Sequence, residues 1–127
     1  MEYEKLDAWK ACDALVKAVF DATKEIESRD PELLGHICRN SLRAAVKLAY
    51  GCGTHNRKMF VMSVQRTAGY LSAFAYNISL ARVMDVLTED VCKRLKSLRG
   101  RASFYTWQLF ETLLTPPAGE SADGDLL

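Results

Sequence analysis

At 127 residues, with 49% hydrophobic and 26% charged residues and a formal net charge of +1, the chain fits one globular domain and is not composed like a disordered segment. Its longest uncharged run, residues 67–81, contains Thr, Ser, Asn and two Tyr, and is too short and too polar to span a bilayer. The opening Met-Glu-Tyr-Glu-Lys has no basic leader ahead of an apolar core, so no secretory signal is read and a cytoplasmic location is expected.

Residues 6–26 read as the first helix. Leu6, Trp9, Cys12, Val16, Val19, Phe20 and Thr23 recur at three- and four-residue steps and should share the buried face. Asp7, Lys10, Asp13, Lys17, Asp21 and Lys24 fall largely on the other side. Asp30, Pro31 and Glu32 then form a restart signal: an N-cap, a first-turn proline and an acid at the positive end of the helix dipole. The second helix should run to about residue 50 on a stripe of Leu34, Ile37, Cys38, Ser41, Leu42, Ala45, Leu48 and Ala49. Gly51 or Gly53 should end it in a left-handed C-cap.

The third helix is predicted from about residue 56 to about residue 86, the longest element of the chain. Phe60, Val64, Thr67, Ala68, Leu71, Phe74, Ala75, Ile78 and Ala81 form its stripe. Gly69 inside it costs about 1 kcal/mol relative to Ala and predicts close approach of a neighbouring backbone. Tyr70, Phe74 and Tyr76 cover more than one face, which predicts burial on two sides. Thr88 should cap the fourth helix, with Glu89 and Asp90 in its first turn. Val91, Leu95, Leu98, Ala102, Tyr105, Leu109 and Leu113 make its stripe, and Gly100 is a point where it can kink or split. Residues 116–127, PPAGESADGDLL, are non-periodic and are expected to be a disordered acidic tail. The predicted fold is therefore all-α, an antiparallel up-down-up-down four-helix bundle over residues 1–115.

Charge is distributed unevenly. Residues 1–32 hold nine acids against five bases, a net of −4; residues 33–110 hold twelve bases against three acids, a net of +9; the remainder holds four acids. From residue 33 to residue 82 there is no Asp or Glu at all. Arg39, Arg43 and Lys47 are spaced four apart, a cationic ridge along one helix face. Arg57 and Lys58 open the third helix, and Lys93, Arg94, Lys96, Arg99 and Arg101 lie on the fourth. These ten residues are the candidate nucleic-acid-binding set, since Lys and Arg in such density suit phosphate. The competing reading is that they solvate outward faces or pair with the acidic first helix of a second copy.

No catalytic set is legible. A carboxylate-bridged metal core needs inward Glu-x-x-His pairs, and neither His36 nor His55 follows an acid at that spacing. His36 with Cys38, and Cys52 with His55, are the only soft-ligand pairs, and neither has a second pair at a recognisable distance. Cys52 beside glycines has no orienting acid in view, and no phosphate loop, dinucleotide fingerprint or nucleophile turn occurs. Cys12, Cys38, Cys52 and Cys92 form no Cys-x-x-Cys pair and read as buried thiols. Trp9, Trp107, Tyr105 and Phe110 read as core or interface packing. The expectation is a protein that is not an enzyme and takes no metal or cofactor.

The chain resembles a known family. Tyr3, Leu6 and Trp9 match an aromatic-x-x-Leu-x-x-Trp opening, and Leu48, Ala49, Gly51 and Gly53 match the end of that family's second helix. Phe60 and Gly69 fall at its third-helix Phe and Gly, and LARVMDVLTEDVCKRL is similar to its entry into the fourth helix. The family is the small bacterial four-helix-bundle proteins encoded in intervening sequences of large-subunit ribosomal RNA genes, whose relatives include the Avd accessory proteins of diversity-generating retroelements. The chain departs from it at Lys47, where Asn is usual, and at Tyr50, where Glu is usual. The resemblance covers about residues 2–115. It implies a cytosolic bundle assembled into a ring, a homopentamer in known members. It also implies a basic surface that, in the Avd branch, works with a reverse transcriptase and its RNA. The alternative expectation is a purely structural homo-oligomer or protein-interaction module without a nucleic-acid role.

Overall fold

The computed structural model describes residues 2–26 and 29–115, so the expected acidic tail at 116–127 lies outside the described residues. A 3-10 turn at Tyr3–Lys5 leads into four helices: α1 Asp7–Thr23, α2 Pro31–Gly53, α3 Arg57–Val83 and α4 Glu89–Leu114. Among the described residues there is no strand. Helix α1 packs on α2, α2 on α3, α3 on α4 and α4 back on α1, the neighbour pattern of an antiparallel four-helix bundle.

Three helix starts follow from local chemistry. Asp30 Oδ1 accepts the backbone N–H of Leu33 at 2.9 Å, with Pro31 in the first turn. Asn56 accepts the N–H of Met59 at 3.0 Å, and Thr88 accepts that of Val91 at 3.3 Å. Each side chain satisfies a donor that the helix itself leaves unpaired. The core they surround is centred on Leu15, Ile37, Leu48, Leu71, Phe74, Ile78 and Leu95, all fully buried. Burial of each such side chain contributes about 1.5–3 kcal/mol.

The buried face of α1 meets the expected stripe in part: Leu6, Cys12 and Val19 are buried, and Trp9 and Val16 pack against the core. Ala8, Ala11, Cys12, Leu15, Ala18 and Val19 face inward, while Phe20 is 44% exposed and Trp9 packs edge-on against Tyr3 at the rim. Small alanines let α1 approach its neighbours closely, and Phe20 is the bulky apolar residue of α1 left facing water. The helix also ends before residue 26, where the Thr23 hydroxyl bonds back to the Val19 carbonyl at 2.9 Å. On α2, Ala44 is buried and Leu42 is exposed, the reverse of a seam through Leu42.

Glycines act differently from their sequence roles. Helix α2 runs through Gly51 to Gly53, and the left-handed residue beyond it is His55, φ 51°. A Cβ on Gly51 would lie 2.6 Å from Ser63 Cβ and 3.1 Å from Phe60 Cδ1, so Gly51 is what allows α2 and α3 to touch here. Gly69 and Gly100 have open space where a Cβ would sit, and α4 runs through Gly100 unbroken. Nor is α3 buried on two sides: Tyr76 is exposed and Tyr70 only half-buried. Helix α3 stops at Val83, three residues short of the expected end, in a turn carrying Asp85 at φ 56°.

The α2–α3 seam is also held by polar contacts. The buried Thr67 hydroxyl donates to the Ala44 carbonyl at 3.1 Å, and the Asn40 amide donates to Asn77 Oδ1 at 2.7 Å. At the other end of α3, Arg57 reaches across to α4: its Nε donates to the Leu113 carbonyl at 2.7 Å and Nη2 to the Thr115 carbonyl at 2.6 Å. One guanidinium thereby satisfies two carbonyls at a helix C-terminus. Cys12, Cys52 and Cys92 are buried thiols, and Cys38 is partly exposed beside the Thr23 hydroxyl at 3.4 Å. Burial pushes the Cys12 thiol up to about 12, with the Thr106 hydroxyl drawing it partly back.

Gly51→Ala should lower unfolding stability by about 1–3 kcal/mol through overpacking, whereas Gly69→Ala should raise it by about 1 kcal/mol; urea melts that fail to separate the two would refute the Gly51 contact. Arg57→Ala should cost about 1–3 kcal/mol and expose the amides of the last α4 turn to hydrogen exchange. The Cys12 thiol favours the fold fully below its unfolded value of 9.0, and that contribution disappears as pH rises from there to about 12. Stability should therefore fall more steeply above pH 9.0 in the wild type than in Cys12→Ala; parallel curves would contradict it.

Candidate nucleic-acid interface

The α2–α3 contacts fix how the charges of the two helices align. Asn40 meets Asn77, Ala44 meets Thr67, and Gly51 meets Ser63, a single antiparallel register. In that register Arg66 falls at the level of Lys47, and Tyr70 at the level of Arg43 and Ala44. Arg39, Arg43 and Arg66 are exposed and Lys47 is half-buried. Helical rise spaces Arg39, Arg43 and Lys47 about 6 Å apart. No carboxylate belongs to either helix beyond Glu32, because the sequence has no Asp or Glu between residues 33 and 84.

Local contacts shape this face without neutralising it. The Lys47 ammonium stands 5.4 Å from the centre of the exposed Tyr50 ring. That cation–π contact orients the stem and leaves a charged head at the surface. Arg39 Nη2 lies 3.3 Å from His36 Nδ1, and His36 Nε2 lies 3.8 Å from Glu32 at the acidic start of α2. The cations are thus held beside an exposed aromatic, a combination suited to a phosphate backbone carrying unpaired bases.

The other candidates lie elsewhere. Arg57 is turned to the α4 C-terminus as described, and Lys58 is exposed in the first turn of α3. Helix α4 sits diagonally from α2, so its cations do not continue the ridge. Lys93 pairs with Glu89 at 3.5 Å. Arg94 lines the α1–α4 seam with Lys17 and Asp21. Arg101 sits over the Tyr105 ring at 5.9 Å, beside a groove of about 230 Å³ that also includes Asp7 and Lys10. Arg99 donates to the Ser103 hydroxyl at 3.2 Å from within an α3–α4 groove. Lys96 is exposed. The ten cations are therefore divided among three faces.

Arg66 was not among the sequence candidates. Its nearest charged neighbours in sequence are Lys58 and Arg82, so spacing alone gives no signal. Only its position in the acid-free stretch pointed to it. The soft-ligand pairs do not gain partners: Cys52 is buried while His55 is exposed, and His36 is exposed on the outer face of α2 while Cys38 turns toward Thr23 of α1. Among the described residues, no three His, Cys, Asp or Glu side chains lie together as a metal-binding group. No described helix is long and apolar enough to cross a membrane.

Comparison of the sequence with models of known protein families finds no match, and comparison with curated proteins finds no significant relative.

Proposed function

We propose that this protein is a non-enzymatic cytoplasmic accessory or scaffold protein that holds RNA through the outer face of α2 and α3. The observation that carries this reading is the alignment of Arg39, Arg43, Lys47 and Arg66 on two adjacent helices that contribute no acid to the face. Each cation displaces condensed counterions from a phosphate, and Tyr50 offers a ring to an unpaired base. The resemblance to ribosomal-intervening-sequence and Avd proteins supports the same reading and adds a homo-oligomer, a pentameric ring in those relatives, which would multiply the face. A reverse transcriptase with its RNA is the protein partner that resemblance implies.

A second reading is a purely structural homo-oligomer. Its support is the exposure of Trp107 and Phe104, large apolar surfaces on α4 that a monomer leaves in water.

Reversing Arg39, Arg43 and Lys47 together to Glu should reduce affinity for single-stranded RNA by more than tenfold without changing the melting temperature. Arg66→Glu should weaken it in the same direction, while reversing Arg94 and Arg101 should leave it within twofold. The wild-type affinity should fall with salt at a log–log slope of about −3, for four phosphates at about −0.7 each. Undiminished RNA binding by the triple variant, measured by fluorescence anisotropy, would overturn the assignment. A wild-type oligomer that binds no RNA at low salt would favour the structural reading.

A further inference from the structure

Helix α4 carries a second, outward stripe that the bundle does not use. Its buried side is Cys92, Leu95, Ala102 and Thr106. On the flank toward α3 lie Lys96, Gly100, Phe104, Trp107 and Glu111, spaced by steps of three and four residues along one face, with Trp107 at the rim of the α3–α4 groove. All five are exposed, Phe104 at 53% and Trp107 at 60%. Trp107 also stacks on Phe110, with centroids 5.6 Å apart, which presents the indole as a fixed ridge. Gly100 presents a gap: nothing lies within 4 Å of where its Cβ would be. Among the described residues, neither Lys96 nor Glu111 has an ion-pair partner.

Four of the five are arranged symmetrically; the exception is Phe104, whose counterpart across the centre is the half-buried Ser103. Gly100 and Trp107 lie equally far on either side of the point between Ser103 and Phe104. Lys96 and Glu111 lie one helical turn further out, again equally far. When two copies of α4 cross antiparallel about a two-fold axis at that point, each residue meets its counterpart across the axis. Gly100 of one copy then receives Trp107 of the other, and Lys96 faces Glu111, twice over. Large meets small and cation meets anion, which is what an isologous contact requires. A different protein would have no need of this palindromic order. Charge complementarity and shape therefore name the same occupant, a second copy of this chain.

We infer that two copies of this protein pair through α4 in this antiparallel register. The inference rests on the reading that the chain self-associates; being two-fold, this contact does not close a five-membered ring but joins two copies, or two rings, face to face. The stripe from residue 96 to residue 111 spans about 24 Å of helix, at a rise of about 1.5 Å per residue. A contact of that length belongs to the small, concentration-dependent class. The RNA face lies on α2 and α3, and α4 does not pack against α2, so pairing leaves the ridge on α2 open.

The test is light scattering on the full chain from 1 to about 200 µM, with helical content followed by circular dichroism. Wild type should show mass rising with concentration to a dimer or an even multiple. Lys96→Glu and Glu111→Lys should each weaken self-association at least tenfold by opposing like charges. The double variant should restore it, because exchanging the two charges leaves opposite signs facing each other across the axis. Gly100→Leu should block the seat of Trp107 with helical content intact. If the single variants weaken association and the double variant does not restore it, the register is wrong. A wild-type oligomer indifferent to all four variants would overturn the seam while leaving self-association standing. A wild-type monomer at every concentration would overturn both.

Discussion

The contact at Gly51 constrains more of this molecule than any other. Because no Cβ intervenes, α2 and α3 meet at Ser63, and the Thr67 and Asn40 hydrogen bonds further along the seam fall into place in the same register. A one-turn slip would break both polar contacts and put a side chain into Ser63. The register in turn decides which surface groups become neighbours. It brings together two helices that carry no acid beyond Glu32, so Arg66 joins Arg39, Arg43 and Lys47 on one side of the bundle.

The remaining charge is organised in the opposite way. On α1 acids and bases alternate, and α4 opens with acids ahead of its bases, so some satisfy one another locally, as in Lys17 with Asp13 at 2.8 Å and Lys93 with Glu89 at 3.5 Å. Such exposed pairs contribute little to stability. Their effect is to leave that half of the bundle electrostatically mixed, while the α2–α3 half remains uniformly positive. The near-neutral net charge of the chain hides a division that appears only when the helices are assembled.

Much of the architecture was legible because it is written in short-range chemistry. Asp30 with Pro31, Asn56, and Thr88 with Glu89 mark helix starts through contacts within one turn, and no knowledge of the fold is needed to see them. The inward face of α1 is legible in part: Leu6, Cys12 and Val19 are buried as their spacing implies, but periodicity passes over Ala8, Ala11 and Ala18, whose small side chains permit close packing, and it includes the exposed Phe20. The close helix approach expected at Gly69 occurs at Gly51 instead, for a related reason: a sequence shows that a glycine is tolerated, not what stands opposite. For the candidate site, the Arg39–Arg43–Lys47 ridge was readable from spacing on one helix. The diversion of Arg57 to the α4 C-terminus, the scattering of the α4 cations and the recruitment of Arg66 all depend on neighbours far away in sequence.

The even number of antiparallel helices has a topological consequence. Residue 7 at the start of α1 and residue 114 at the end of α4 sit at the same pole, beside the turn that joins α2 to α3. The Arg57 bonds to the Leu113 and Thr115 carbonyls fasten the departing chain to that pole. A domain fused at either end would be carried there, near the Lys47 end of the ridge, whereas the pole formed by the other two connections would stay bare. The fold is thereby suited to circular permutation, with new ends opened in the turn around Asp85 and the old ones joined by a short linker.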